Sequence, residues 1–258
     1  MTQYNFEGVA NFRDFGGRPT AEGRSVRTGR LFRSGHHGEA TEADLALFDQ
    51  LGLELLVDLR RPPERERIPS RRSAAFKARV LEHAGASAET LAPHLEVLTR
   101  PGVTPQDMAE RMIAGYRTYP FDPAYVAVWR DYFRHLAAAE GAALIHCHAG
   151  KDRTGVICAL TLHALGVPHD EIYADYLATN TQADVEGRME AIIEDFLKTQ
   201  GIPVSEQVLR QVMLVDAAYL DAAIEAMVER HGDLDAYLAE VLEVTPQVRE
   251  QLRARLLA

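Results

Sequence analysis

The chain has 258 residues, 47% of them hydrophobic and 26% charged, with two cysteines and a formal net charge of −10. Length and composition suit one large soluble α/β domain spanning residues 1–258, and the net acidity argues against a nucleic-acid partner, which needs a basic face. No apolar run is long enough for a stable membrane anchor, two cysteines make no disulfide framework, and no signal-peptide pattern opens the chain, so a cytoplasmic location is expected. The excess acid lies in residues 155–258, while the first part of the chain is close to neutral or basic.

Residues 1–35 read as short strands and turns, with Gly16-Gly17-Arg18-Pro19 as a turn and 31–34 as a strand. Thr41 is the expected N-cap of a helix over 42–52, with Asp44 closing a capping box. Residues 53–59 read as a buried strand, 62–72 as a polar, turn-rich stretch, and 78–81 as a further strand. Two helix-like runs, 88–98 and 105–116, flank Thr99-Arg100-Pro101-Gly102. Asp122-Pro123 opens a helix running to 140, with Asp as N-cap and Pro in the first turn. The apolar run 142–145 is a strand, and 154–165 a helix. The remainder reads as helices over 169–180, 183–200, 205–230 and 233–257, with breaks near Pro203 and Gly232. Strands alternating with helices, followed by a run of helices, predict an α/β fold with a central, mostly parallel sheet flanked by helices.

The chemistry concentrates in His146-Cys147-His148-Ala149-Gly150-Lys151-Asp152-Arg153-Thr154-Gly155. A strand, a tight loop and a helix N-terminus place free backbone N–H groups and a helix dipole at one point, which suits an anion. A helix N-terminus and a nearby cation also favour the thiolate, so Cys147 is a candidate nucleophile. Residues His148, Ala149, Gly150, Lys151, Asp152 and Arg153 can wrap one phosphoryl group, with Gly150 supplying backbone freedom and Arg153 a planar fork of donors. Thr154 can donate to the sulphur as it leaves in a second step. No cluster of His and carboxylates has metal-ligand spacing, and the loop amides with Arg153 provide the positive field, so no metal and no cofactor are expected.

This loop resembles the signature of cysteine-dependent protein tyrosine phosphatases, and its Ala149–Gly155 portion is similar to that of bacterial members that also act on phosphoinositides. Asn11-Phe12-Arg13-Asp14-Phe15-Gly16-Gly17, Arg33-Ser34, Asp58-Leu59-Arg60 and Gly232-Asp233-Leu234-Asp235-Ala236-Tyr237-Leu238 match the family in order. The resemblance implies a tyrosine phosphatase-like fold and a phosphocysteine intermediate. It also implies a phosphorylated protein or phosphoinositide as substrate, and phosphate ion as product or inhibitor. It assigns the general acid to Asp152, with Asp122 and Asp58 as rivals by position, and it makes 83–125 a helical lid, for which a plain surface helix pair is the alternative. Lys151, and His148 at low pH, would add cations at the rim for further phosphates. His146, Asp58, Arg60, Arg13 and Asp14 are candidate supporting residues: His146 for loop shape, Arg60 for phosphate or an ion pair, Arg13 and Asp14 as braces.

Two other readings use the same cysteine. One is a non-catalytic phosphate-binding module, disfavoured by the joint presence of Cys147, Asp152 and Arg153. The other is a sulfurtransferase or arsenate reductase. The first of these has no need of Arg153-Thr154-Gly155, and the second usually needs more thiols than Cys158, which reads as a core residue.

Overall fold

A computed structural model describes residues 4–85, 97–98, 100, 102–182, 185, 189–190, 193–194, 197–198, 201 and 204–258. Five strands form one sheet: β1 (Arg13–Asp14), β2 (Leu31–Ser34), β3 (Leu53–Asp58), β4 (Arg79–Glu82) and β5 (Ala142–His146). Their spatial order is β1-β2-β5-β3-β4, and only the β1–β2 pairing is antiparallel. The mostly parallel sheet expected from the strand–helix alternation is therefore present. β5 is the central strand and is buried throughout. At its carboxyl end His146 stands between Ser34 of β2 and Asp58 of β3.

Side chains alternate across the sheet as the two-residue strand period requires. Phe32, Leu56 and Leu144 face one side, where they pack with Leu45 and Phe48 of α1 (Glu42–Gln50). Leu31, Leu55, Val57, Ala143 and Ile145 face the other, against a larger cluster. That cluster includes Trp129, Tyr132 and Phe133 of α4 (Pro123–Ala138) and most of α5 (Asp152–Ala164). Helix α5 is buried on every side from Thr154 to Leu162, and its sequence there is correspondingly apolar. Helix α3 (Pro105–Thr118) is capped by Thr104 and leads through a 3₁₀ turn, Tyr119–Phe121, into α4.

The element boundaries follow the caps. Thr41 and Asp44 form the expected reciprocal cap of α1, and Asp122 caps α4 through bonds to the amides of Ala124 and Tyr125. The stretch 62–72, read as turn, instead contains the helix α2 (Pro62–Arg67). Pro62 and Pro63 fill its first turn, where no amide partner is needed, and Glu64 accepts from the Arg61 amide. The long C-terminal helices are each split. After α6 (His169–Leu177) and α7 (Thr179–Gln182), the expected helix 205–230 is α8 (Glu206–Met213) and α9 (Ala217–His231), divided at Asp216, which caps α9. The expected helix 233–257 is α10 (Leu234–Glu240) and α11 (Pro246–Leu256), divided where Glu243 turns to φ 60° and Thr245 caps anew. An apolar period runs through such breaks, and only the capping residues betray them. Most of the expected helices 88–98 and 183–200 lies outside the described residues, and the described residues within both are helical. Val97 and Leu98 cluster with Met108 of α3 and Val208 and Leu209 of α8. Among the described residues, no helix is long and apolar enough to cross a membrane.

Candidate active site

Cys147 follows β5 directly, and α5 begins five residues later. Three consecutive carbonyls of the intervening loop are held from outside. The His36 amide donates to His148 O at 2.9 Å. Asn11 Nδ2 donates to Ala149 O at 3.2 Å and to Gly150 O at 2.9 Å, and Arg33 Nη2 also reaches Gly150 O at 2.9 Å. In a trans peptide the N–H points opposite to its C=O, so these contacts turn the amides of residues 149–151 inward over Cys147. Gly150 lies at φ 67°, and a Cβ there would stand 2.2 Å from Ser34 O. The first-turn amides of α5 have no acceptor within the helix and could bind the same anion.

Arg153 projects back beside the loop. Its Nη1 and Nη2 meet Glu64 Oε2 and Oε1 at 2.7 and 2.9 Å, a two-pronged pair that fixes the guanidinium plane, and Nη1 also approaches Tyr125 Oη at 3.4 Å. Burial by itself would raise the Glu64 carboxyl, but Arg153 and Arg61 hold it well below the usual carboxylate range. Thr154 Oγ1 is buried and, among the described residues, has no hydrogen-bond partner. A thiolate acceptor would satisfy it. The Asp152 carboxylate receives the Tyr116 hydroxyl at 2.8 Å and has Lys151 Nζ at 3.5 Å.

The remaining sequence candidates divide. Lys151 does not stand out from the rim: its side chain is buried, and Nζ donates to Val212 O and, at 3.4 Å, to Leu214 O at the carboxyl end of α8. His148 is pushed down to about 4, first by burial and then by His36, so it stays neutral until the medium is distinctly acidic. Asp58 and Arg60 form a buried ion pair, Nη2 to Oδ2 at 2.7 Å and Nε to Oδ1 at 2.9 Å, behind the loop. Of the two roles left open for Arg60, the structure shows the ion pair. Asp58 is thereby occupied, and Asp122 by its capping bonds. His146 stacks on His37 with centroids 4.3 Å apart, and burial pushes it down to about 4 although Asp58 Oδ2 is 3.6 Å away. Arg13 reaches Asp175 Oδ1 at 3.1 Å and Thr179 Oγ1 at 3.1 Å, and also bonds Asn11 Oδ1. Asp14 lies away from the loop and accepts the amides of Gly16 and Gly29. Cys158 is fully buried, and burial pushes its thiol up to about 12.

Four contributors escaped the sequence reading. Glu64 falls in the stretch read as turn, Tyr116 ends a helix-like run and Asp175 lies within the expected helix 169–180, with nothing in the sequence to single them out, whereas Asn11 is visible only as part of a motif. A left-handed Asn11, at φ 57°, and a buried Arg33 joined to Asp175 at 2.5 Å become apparent only in three dimensions. Among the described residues, no group of three or more His, Cys, Asp or Glu is placed to hold a metal ion.

A buried thiol between a strand and a helix N-terminus, with the following carbonyls held from outside, a guanidinium fixed by Glu64 and the Asp152 carboxyl group on the same loop, is an arrangement on an α/β scaffold that suits a phosphate monoester. The chain belongs to the tyrosine phosphatase family, whose sequence model matches residues 4–258. Over 260 residues it is 37% identical to a Cupriavidus necator protein assigned by name to the tyrosine-protein phosphatases, an alignment covering 98% of this chain and 88% of that one. It is 33% identical over 265 residues to the triple specificity protein phosphatase PtpB of Mycobacterium tuberculosis, covering 93% and 94% of the two chains. A tyrosine-protein phosphatase of Nostoc commune is 25% identical over 243 residues, covering 92% and 78%.

Proposed function

We propose that this phosphatase hydrolyses phosphotyrosine in proteins, and phosphoserine, phosphothreonine and phosphoinositides in addition, through a phosphocysteine on Cys147. The observation that carries this reading is the outward anchoring of the carbonyls of His148, Ala149 and Gly150, which leaves a ring of amides around the sulphur. The triple specificity named for the mycobacterial relative supports a range wider than phosphotyrosine.

In the first step the Cys147 thiolate attacks phosphorus. The bond to the leaving oxygen breaks, and Asp152 gives its proton to that oxygen. The loop amides and Arg153 face the equatorial oxygens, where charge accumulates. In the second step water attacks phosphorus, and its proton passes to the Asp152 carboxylate. The electron pair of the P–S bond returns to sulphur, with Thr154 as donor to the departing thiolate. In this reading α3 and the first turn of α4 border the site. The support for this is the placement of Tyr116 against Asp152 and of Tyr125 against Arg153.

The test is phosphate release from a phosphotyrosine peptide in EDTA by wild type and Cys147→Ser, repeated with phosphoserine peptide and phosphoinositide vesicles. Activity that persists in EDTA and vanishes in the variant is expected. A wild type inactive on all three substrates would overturn the proposal, and activity on the peptides alone would remove its phosphoinositide half.

A further inference from the structure

Asp152 opens α5 and meets α3 through a chain of hydroxyls. Tyr116 Oη, on α3, donates to Asp152 Oδ1 at 2.8 Å and lies 2.7 Å from Tyr176 Oη on α6. Tyr116 is fully buried and Tyr176 nearly so. A phenol that gives its single proton to a carboxylate has lone pairs left to accept one, so the order runs from Tyr176 to Tyr116 to Asp152. Burial, with Asp152 close by, pushes both phenols well above their ordinary range, so both keep their protons as donors. The other charged group close to this carboxylate is Lys151 at 3.5 Å. Tyr119 of the 3₁₀ turn and Tyr219 of α9 complete the set, the latter with its ring 5.7 Å from that of Tyr116.

We propose that Tyr116, backed by Tyr176, is the positioning residue of the general acid. By occupying Oδ1 it fixes the carboxyl rotamer and leaves Oδ2 to carry the proton to the leaving oxygen. By stabilising the carboxylate left behind, it makes Asp152 the readier donor. The inference rests on the reading of Asp152 as the acid. It also joins catalysis to the docking of α3 on α8 and α9, since the tyrosine arrives only with that helix.

The experiment compares pH profiles of kcat/KM for wild type, Tyr116→Phe, Tyr176→Phe and Asp152→Asn. It uses p-nitrophenyl phosphate, with a good leaving group, and phenyl phosphate, with a poor one. In Tyr116→Phe the carboxylate loses a hydrogen-bond donor, and the basic limb of the pH profile is displaced upward from that of wild type. Turnover of phenyl phosphate falls about tenfold, while p-nitrophenyl phosphate changes less than about threefold. Tyr176→Phe, which leaves Tyr116 in place, shifts the limb in the same direction by less. If Asp152→Asn slows both substrates equally, the acid assignment fails and the inference with it. If Asp152→Asn separates the two substrates but both tyrosine variants leave limb and ratio unmoved, Tyr116 has only a packing role and this inference alone is overturned.

Discussion

At the scale of single residues, the loop tolerates little change at Gly150. Its φ of 67° is a conformation that side chains disfavour, and an added Cβ would collide with Ser34 O and C at 2.2 and 2.3 Å. Gly150→Ala is expected to lose about 2 kcal/mol of stability or more, and to abolish both turnover and protection by vanadate. Urea denaturation with and without vanadate checks both, and an Ala variant that still binds vanadate would show that the loop can re-form around the methyl group. Cys147, Gly150 and Arg153 are legible in the sequence because the candidate phosphate-binding groups are neighbours in the chain. Glu64 and Tyr116 are not, since they meet the loop across 89 and 36 positions. The burial of Lys151 was equally hidden, because its acceptors lie 61 and 63 positions away.

At the scale of elements, α6 anchors the floor of the site. Asp175 lies between Arg33 of β2 at 2.5 Å and Arg13 of β1 at 3.1 Å, and Arg33 in turn holds the Gly150 carbonyl. Both Arg33 and Asp175 are almost inaccessible to water, so removing the carboxylate leaves a buried guanidinium uncompensated. Asp175→Ala is expected to cost about 3–5 kcal/mol in denaturant unfolding, more than a typical core truncation of similar size. A loss under about 1 kcal/mol would show that water reaches Arg33 in solution. The sheet and most helices could be read from apolar period and caps. The α8/α9 and α10/α11 breaks could not, because Asp216 and Thr245 look like ordinary polar positions until the chain is seen to turn there.

At the scale of the whole molecule, buried histidines set the acid limit. His146 has its folded value pushed down to about 4 from 6.5, so between these values the unfolded chain binds the proton that the folded chain refuses. Stability is therefore complete above about pH 6.5 and falls as the medium is acidified towards 4, by about 2 kcal/mol at pH 5 from this residue alone. Depressed carboxylates such as Glu64 and Asp175 extend the loss below about pH 4, where they must take up protons. Urea midpoints measured at pH 7.5 and 5 should fall in that order, and a midpoint unchanged across this range would contradict the neutral burial of His146.

The anchors of the phosphate loop also bear on how the protein reaches its folded state. Asn11, Arg33 and Glu64 join the loop across 139, 117 and 89 positions. Each such closure costs chain entropy before its contacts repay it, so strands and helices form ahead of the cradle they support. A chain released from denaturant is thus expected to regain its helical signal first and the arrangement of residues 148–153 around Cys147 last.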